Sequence, residues 1–359
     1  MLPNLGLLLC MPYSFQGLHI QKRLKAAIFP SVVMLPDLSY GKRVKRALYL
    51  NRCSIDNLVF LYPSCFWSCL LMLVSILCGG LWRRFMDVDR KIYETYHLAH
   101  YEEGSVNRHM QDFVREEPLQ INVEGRPYAV VMRTPGDEIA HAAGFCLSEG
   151  LVESPEDISS IGFCSDIDEN TVLITLMNDR KKAVSEQIER GGFLSQTSCG
   201  ICGREMIDDL TDNLKAVEDG SGINHGQVLE CVDRFFRHQE YYARTRGTHA
   251  VMLFDSGLDI ITKAEDVGRH NAMDKSIGAL FLGHRLTDIH LAVLSSRISF
   301  EIIQKAARAG IPILISISNP TSMAVELGRK LNMTLVCMDK NKKSGFIVPC
   351  GEKRVRTED

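Results

Sequence analysis

The sequence lacks the dense cysteine spacing of a disulfide-stapled secreted protein. Five of its twelve cysteines lie in the first 85 residues, and the other seven are spread over the rest of the chain with one close pair, Cys199 and Cys202. Small secreted domains usually carry many cysteines close together. The spacing therefore argues against a secreted fold and predicts a reducing, cytoplasmic setting for the main body of the protein.

Basic charge is scarce after residue 85. The first 85 residues hold ten Lys and Arg against two acids, whereas the remainder holds 31 bases and 42 acids. Nonspecific nucleic-acid binding requires clustered bases that neutralise phosphates. The acidic remainder argues against a nucleic-acid partner, and the two regions have the composition of different kinds of polypeptide.

Charge is absent altogether from Leu58 to Trp82. This run of 25 residues is long enough to cross a hydrocarbon core of roughly 30 Å as a helix. Three interpretations stay open for residues 1–85: a membrane anchor that crosses at 58–82, a buried or disordered appendage, or an over-extended reading frame. The abrupt change of charge at Met86 favours a native protein that begins there. A membrane is therefore a partner only if residues 58–82 are expressed.

The pattern after Met86 predicts a small α+β subdomain over residues 86–190. Residues 86–115 are polar with little periodicity, which indicates a loosely structured lead-in. Alternating apolar residues on both sides of Glu124-Gly125 then predict a hairpin. Thr134-Pro135-Gly136-Asp137 has the composition of a helix start, and Gly150 marks the end of that helix.

The second half, residues 205–359, predicts an α/β domain. A hairpin through Asp255-Ser256-Gly257 and a helix over Asn271–Phe281 come first. Strands and helices then alternate as strand Ile289–Ser295, helix Ser299–Ala309, strand Pro312–Ser318, helix Thr321–Leu331 and strand Thr334–Met338. Such alternation indicates right-handed crossovers and parallel pairing.

Two of these strands end on residues that suit an anion. Ser295-Ser296-Arg297 and Ser318-Asn319-Pro320-Thr321 stand at carboxyl ends, where ligands bind in such sheets, and both lead into helix N-termini whose free amides favour phosphate. The polar run Glu265–Lys275 is open to two interpretations. It is either part of a pocket or a helix start capped by Asp266 or Asn271.

The sharpest feature is the pair of thiols in Cys199-Gly200-Ile201-Cys202, within a Gly- and Ser-rich flexible loop at 191–204. Structural zinc needs four ligands, and His225, His238 and His249 lack compact spacing, so no metal is predicted. Thiol redox exchange is a second interpretation, although such a pair normally follows a strand and opens a helix. A persulfide carrier needs an exposed thiolate on a mobile arm, and the loop favours this third interpretation.

Six short motifs follow one another along the second half of the chain. They are Ser198-Cys199-Gly200-Ile201-Cys202-Gly203, Gly247-Thr248-His249-Ala250, the Glu265–Lys275 run, Ser295-Ser296-Arg297-Ile298-Ser299-Phe300-Glu301, Gln304-Lys305-Ala306-Ala307-Arg308-Ala309-Gly310 and Thr321-Ser322-Met323-Ala324-Val325-Glu326. In this order they resemble the formate dehydrogenase accessory sulfurtransferase family, FdhD. The resemblance runs from about Glu116 to the end of the chain and leaves out the first 85 residues.

The resemblance implies a cytoplasmic homodimer in which a small N-terminal α+β subdomain joins a cytidine-deaminase-like three-layer α/β core. Proteins of this family pass sulfur from a cysteine desulfurase to a molybdenum cofactor, the bis(molybdopterin guanine dinucleotide), or its tungsten analogue, for the catalytic subunit of formate dehydrogenase. The cofactor is a bound substrate, and no group is held permanently. By this resemblance Cys199 carries the persulfide and Cys202 assists.

The resemblance also implies a cofactor-binding segment after the last predicted strand. Its residues here are Met338, Asp339, Lys340, Asn341, Lys342 and Lys343. Many members have Gly and then Arg where this chain has Lys342 and Lys343, and lysine offers a point charge where arginine offers a bidentate fork. Arg297, His249 and His270 are the further candidate pocket residues.

Two rival hypotheses remain. One is a cofactor chaperone that binds the nucleotide and transfers no sulfur. The other is a membrane-tethered thiol oxidoreductase, which requires residues 1–85 to be present and a Cys199–Cys202 disulfide to cycle.

Overall fold

The computed structural model describes residues 92–165, 168–190, 214–339, 342 and 344–357. Its N-terminal elements are strands β1 (Tyr93–Glu102), β2 (Ser105–Val114), β3 (Glu117–Val123) and β4 (Arg126–Arg133), helix α1 (Glu138–Ser148), strands β5 (Ile158–Ser165) and β6 (Asp168–Leu176), and helices α2 (Asn178–Ala183) and α3 (Ser185–Arg190). The candidate transmembrane segment 58–82 and the cysteine loop 191–204 lie outside the described residues. Within them, no helix is long and apolar enough to cross a membrane.

The first two strands correct the prediction of a loosely structured lead-in. β1 and β2 pair in antiparallel register over their full length, and nearly all of their side chains are exposed on both faces. At the base of this hairpin, Arg244 forms an ion pair with Asp112, and its guanidinium lies 3.7 Å from the centre of the Tyr93 ring. Because neither face is buried, these strands have no alternation of apolar and polar residues, and the sequence pattern could not reveal them.

The predicted hairpin around Glu124-Gly125 is confirmed as β3 and β4. These strands belong to a four-stranded sheet in the order β4-β3-β6-β5, in which β3 and β6 run parallel. Leu119, Ile121 and Val123 alternate along β3 and are fully buried. Helix α1 covers this buried face, and its position confirms the helix predicted between Thr134 and Gly150.

The second half contains the predicted alternation of strands and helices. Its elements are β7 (Ile223–Asn224), α4 (His225–Arg237), α5 (Glu240–Thr245), β8 (His249–Phe254), β9 (Ile260–Asp266), α6 (Arg269–Leu282), β10 (Leu291–Leu294), α7 (Phe300–Arg308), β11 (Ile313–Ser316), α8 (Ser322–Lys330), β12 (Thr334–Met338), β13 (Phe346–Cys350) and β14 (Val355–Arg356). Strands β7 and β14 form a small parallel pair of their own. Strands β7, β13 and β14 of this half were not predicted, and neither was β5 of the first half.

A six-stranded sheet organises this half in the order β13-β12-β11-β10-β8-β9. β10 pairs parallel with β11, and β11 with β12, as the alternating pattern predicted. The flanking pairs, β8 with β9 and with β10, and β12 with β13, are antiparallel. The central strands are buried on both sides, which is why β10 is apolar throughout and β11 is apolar up to its last residue, Ser316.

Two hydrophobic clusters cover the two faces of this sheet. Along β8, Met252 packs with α4 on one face, whereas Val251 and Leu253 pack with α6, α7 and α1 on the other. The predicted α/β class is therefore confirmed, with helices on both faces of the central sheet. The second cluster also contains Leu119 and its neighbours on β3, so the two halves of the chain bury one common core. The cytidine-deaminase-like assignment stays a prediction.

Helices α1 and α6 approach each other through two glycines. A Cβ atom at Gly144 would lie 2.0 Å from the carbonyl oxygen of Asp274, and one at Gly278 would lie 1.8 Å from that of Ala140. Real Cβ atoms do not come this close to backbone, so both positions require glycine. This contact joins the N-terminal half of the chain to the sheet of the second half.

His141 is fully buried at the same contact, and its ring lies beside the side chain of Asn271. Burial holds the pKa of His141 well below 6.5, and the nearby ammonium groups of Lys275 and Lys305 lower it further. Burial also lowers the pKa of His270, to about 4. Both rings are therefore neutral in the folded state at neutral pH.

We expect these histidines to make the protein less stable in acid. Their pKa is lower in the folded than in the unfolded state, so their stabilising contribution is present above pH 6.5 and is lost as the pH falls below it. Each group changes the free energy of unfolding by up to about 1.4 kcal/mol per pH unit. Urea unfolding of the parent and His141→Leu at pH 7 and pH 5 measures the effect. Equal losses in both proteins would contradict the prediction for His141.

Candidate functional site

The carboxyl edge of the central sheet contains an open cavity of about 310 Å³. Strands β10 and β11 end at this cavity, and the antiparallel strand β8 begins there. Helices α6 and α7 also begin at the cavity. The lining residues are His249, Arg269, Ser295, Ser296, Arg297, Ser299 and Ser318. Two of the predicted pocket residues, Arg297 and His249, are thus brought together from strand ends that lie 48 positions apart in the chain.

Hydrogen bonds fix the serines of this cavity. The Ser295 hydroxyl accepts from the backbone amide of Ala250 at 2.9 Å and lies 3.3 Å from Nδ1 of His249. Below the rim, the Ser316 hydroxyl is 2.7 Å from the carbonyl oxygens of both Ser296 and Ser318. The two strand ends are therefore tied together, and the hydroxyls at the rim are held in place for a polar ligand.

Two guanidinium groups give the cavity its charge. Arg297 is exposed and Arg269 is half-buried, and no described carboxylate lies within 4.0 Å of either guanidinium. The Nε atom of Arg269 is buried and has no hydrogen-bond partner among the described residues. Cations that lack a neighbouring carboxylate favour an anion, and the planar fork of arginine matches phosphate.

His249 is the titratable group of the cavity. Burial lowers its pKa below 6.5, and the positive charge of Arg269 lowers it further. A neutral imidazole keeps one nitrogen as a donor and the other as an acceptor. Near neutral pH, His249 is therefore a hydrogen-bonding group beside the two arginines and adds no charge.

His270 follows Arg269 directly but is not among the residues that line the cavity. Its Nε2 atom lies 3.8 Å from Glu301. The side chain is largely buried, and successive residues at a helix start point in different directions. Glu301 does not line the cavity either. The cofactor-binding role of His270 therefore stays a prediction.

The predicted cofactor segment begins at the same edge of the sheet, two strands away from β10. Met338 ends β12, and the Lys342 amide donates to the Asp339 carbonyl at 3.2 Å. None of these three residues lines the cavity. Lys340, Asn341 and Lys343 lie outside the described residues.

The predicted sulfur carrier Cys199 and its neighbour Cys202 also lie outside the described residues. Of the cysteines that the structure does describe, Cys164 is exposed and the rest are buried. Burial raises the pKa of Cys231 and of Cys337 to about 12, so neither forms a thiolate at neutral pH. In the described ranges, no group of His, Cys, Asp and Glu side chains could hold a metal ion.

Of the two interpretations of the polar run Glu265–Lys275, the predicted cap is wrong, because Gly268 is the N-cap of α6 and no side chain caps this helix. Arg269 lines the cavity, whereas Asp266, Asn271 and Lys275 form buried contacts below it. The sequence pattern did not single out Arg269 from its polar neighbours. Its place at the first turn of a helix that follows a strand end is the signal that could have identified it.

The fold and the cavity define an α/β protein with a basic, hydroxyl-rich pocket at the carboxyl edge of its central sheet. The comparisons with known proteins are consistent with one family. The sequence matches the FdhD/NarQ family over residues 114–356, and the chain belongs to that family. The hairpin β1–β2 precedes the matched region almost entirely.

Two relatives agree with this family assignment, and a solved structure shares the fold. The chain is 35% identical to the sulfur carrier protein FdhD of Streptomyces avermitilis, over 68% of this chain and 90% of that protein. It is 36% identical to the protein of the same name from Picrophilus torridus, over 65% of this chain and 89% of the relative. The fold resembles the crystal structure of a candidate formate dehydrogenase accessory protein from Desulfotalea psychrophila, with a TM-score of 0.59 and 20% identity. That match covers 74% of this chain and 100% of the other.

Proposed function

We propose that this chain is a cytoplasmic sulfur carrier that serves formate dehydrogenase. The relatives named as sulfur carrier proteins support the carrier role. In this proposal, sulfur comes from a cysteine desulfurase and goes to the molybdenum or tungsten bis-guanine-dinucleotide cofactor. The cofactor is a bound substrate destined for the catalytic subunit of formate dehydrogenase, and a second copy of the chain is the expected partner in a homodimer.

The thiol chemistry follows from the pair Cys199 and Cys202. The Cys199 thiolate attacks the terminal sulfur of the desulfurase persulfide, and the desulfurase thiolate leaves as the new S–S bond forms. The Cys202 thiolate then attacks the inner sulfur of the Cys199 persulfide and releases hydrosulfide for the acceptor. A Cys199–Cys202 disulfide remains, and a cellular dithiol reduces it to restore both thiols.

The observation that supports a nucleotide acceptor is the pair of guanidiniums without carboxylates in the cavity. A volume of about 310 Å³ is at the lower limit of ligand pockets, which span roughly 300 to 1,000 Å³. The cavity therefore suits the phosphates of one nucleotide and not an entire dinucleotide cofactor. Arg269 and Arg297 would bind the phosphate oxygens, with the serine hydroxyls and the neutral His249 as further partners.

We expect Arg269→Ala and Arg297→Ala each to weaken the binding of guanosine diphosphate. A hydrogen bond to a charged group contributes about 1.5 to 3 kcal/mol, which corresponds to a loss of affinity of about tenfold to a hundredfold. Isothermal titration calorimetry at constant salt measures the dissociation constants. Arg237→Ala is the matched control, because this exposed arginine of α4 pairs with Asp233 and does not line the cavity. Unchanged affinity in both cavity variants would refute the proposed site.

A cofactor chaperone without sulfur transfer is the second candidate. The described site supports it because two arginines suit the cavity to an anion and none of the described lining residues is a cysteine. This alternative predicts that a Cys199/Cys202 double variant still supports formate dehydrogenase maturation and that Arg297→Ala does not. Comparing formate dehydrogenase activity in cells that carry each variant separates the two candidates.

A further inference from the structure

The segment Val267–Arg269 connects β9 to the first residue of α6, and Asp266 fixes this segment from below. The Asp266 carboxylate is fully buried, and it accepts hydrogen bonds from the backbone amide of Gly268 and the side chain of Asn271, both at 2.8 Å. It also forms an ion pair of 2.8 Å with the ammonium of Lys275. The Asp266 carboxylate thus holds both Gly268, directly before Arg269, and Asn271, in the first turn of α6.

The other side of these contacts comes from the N-terminal half of the chain. The backbone amide of Thr134 donates to Asp266 at 3.0 Å, and the Thr134 hydroxyl accepts from the amide of Val267 at 3.0 Å. The Thr134 carbonyl accepts from the Lys275 ammonium at 2.7 Å. Thr134, just after β4, therefore contacts Val267 of the segment and its two anchors, Asp266 and Lys275, through three different atoms.

The Lys275–Asp266 pair is nearly inaccessible to water. Breaking a buried charge pair by removing one partner is strongly destabilising, because the remaining charge is left without a counterion. The segment therefore has little freedom to move while the Thr134 and Asp266 contacts are intact. The Arg269 guanidinium makes no described ion pair of its own, so its direction depends on the backbone that these contacts hold.

We propose that Thr134 is a positioning residue that holds Arg269 against the cavity and so tunes the affinity for a phosphate-bearing ligand. The proposal rests on the proposed function, because it takes the cavity as the anion site. It assigns to the N-terminal half of the chain a role in binding at a pocket whose lining residues all come from the second half.

Thr134→Val tests the proposal with guanosine diphosphate as the probe. Valine keeps the shape of threonine but removes the hydroxyl that accepts from the Val267 amide, which loosens the segment without touching the cavity lining. We expect calorimetry to show affinity lower by about fivefold to tenfold, the equivalent of one hydrogen bond. Thr134→Ser keeps the hydroxyl and is expected to bind within about twofold of the parent.

Ser148→Ala is the matched structural control. The Ser148 hydroxyl donates to the buried carboxylate of Asp274 at 2.7 Å, in a second aspartate–lysine pair that does not contact the Arg269 segment. Urea unfolding is expected to show similar stability losses for Ser148→Ala and Thr134→Val. Only Thr134→Val is expected to lose affinity, so loss of affinity in both variants would indicate a general structural effect and overturn the proposal.

A double-mutant cycle with Arg269→Ala shows whether Thr134 acts through Arg269. In the Arg269→Ala background, Thr134→Val is expected to lower affinity by no more than about twofold, because the group it positions is absent. A full additive loss would overturn the positioning role while leaving the proposed anion site intact. If Arg269→Ala alone leaves affinity unchanged, the positioning role fails, whereas the proposed site fails only if Arg297→Ala also binds unchanged. Should Thr134→Val not fold, Thr134→Ala removes the same hydroxyl and carries the same expected loss.

Discussion

Cys199→Ala is expected to abolish formate dehydrogenase maturation while leaving the fold of the protein unchanged. Alanine has no sulfur to accept the persulfide, and the Cys202 thiol would have no persulfide to attack. The expected loss of formate dehydrogenase activity in complemented cells is at least about a hundredfold, a typical minimum for the removal of a covalent nucleophile. Intact mass spectrometry after incubation with a cysteine desulfurase and cysteine should show one added sulfur, about 32 Da, on the parent only.

Cys164→Ala is the control for this experiment. Cys164 is an exposed free thiol on β5, so it is open to nonspecific modification but has no role in the proposed transfer. Maturation and the mass shift should both persist in the Cys164 variant. Normal maturation in Cys199→Ala would contradict the sulfur-carrier mechanism, and together with normal maturation in the double cysteine variant it would favour the chaperone.

Gly278→Ala is expected to be among the most destabilising single substitutions in the chain. The added methyl group would lie 1.8 Å from the carbonyl oxygen of Ala140, so helices α1 and α6 would have to move apart. Alanine favours a helix over glycine by about 1 kcal/mol, but this gain is smaller than the cost of separating two packed helices. We expect a loss of about 3 to 5 kcal/mol in the free energy of unfolding, measured by urea denaturation.

Gly162→Ala provides the comparison. This glycine lies on β5, and no atom comes within 4 Å of a Cβ atom placed there. The change in the free energy of unfolding should stay within about 0.5 kcal/mol, as for most surface substitutions. Similar losses for both glycines would mean that the close approach of α1 and α6 does not limit stability.

The fold was predictable where the burial of an element leaves a regular apolar pattern in the sequence. Strand β12 was predicted with its observed bounds, Thr334–Met338, and β10 and β11 within a few residues. Their apolar runs reflect burial on both faces of a parallel sheet. The hairpin β1–β2 could not be predicted because its side chains face solvent on both sides. Strand β13 was missed because it contains Pro349 and is buried only in part.

The candidate site was predicted in part for a geometric reason. Arg297 follows a strand and His249 begins one, and the rule for carboxyl edges of α/β sheets places such residues together. The rule does not say which way each side chain points. Arg269 and His270 are neighbours in the sequence, but only Arg269 lines the cavity. In our proposal, the contact between Thr134 and Asp266 determines that the Arg269 side chain faces the cavity. These two residues are 132 positions apart in the sequence, so no local pattern reveals their contact.

The shared core of the two halves has a consequence for how the protein is made. Contacts such as Ser148 with Asp274 and Thr134 with Val267 span 126 and 133 positions. Folds dominated by such distant contacts form slowly, because long loops must close before any contact is gained. During synthesis, β3, β4 and α1 leave the ribosome before the central sheet exists. Their apolar faces then stay open until the second half arrives, so the nascent chain needs protection from aggregation during that interval.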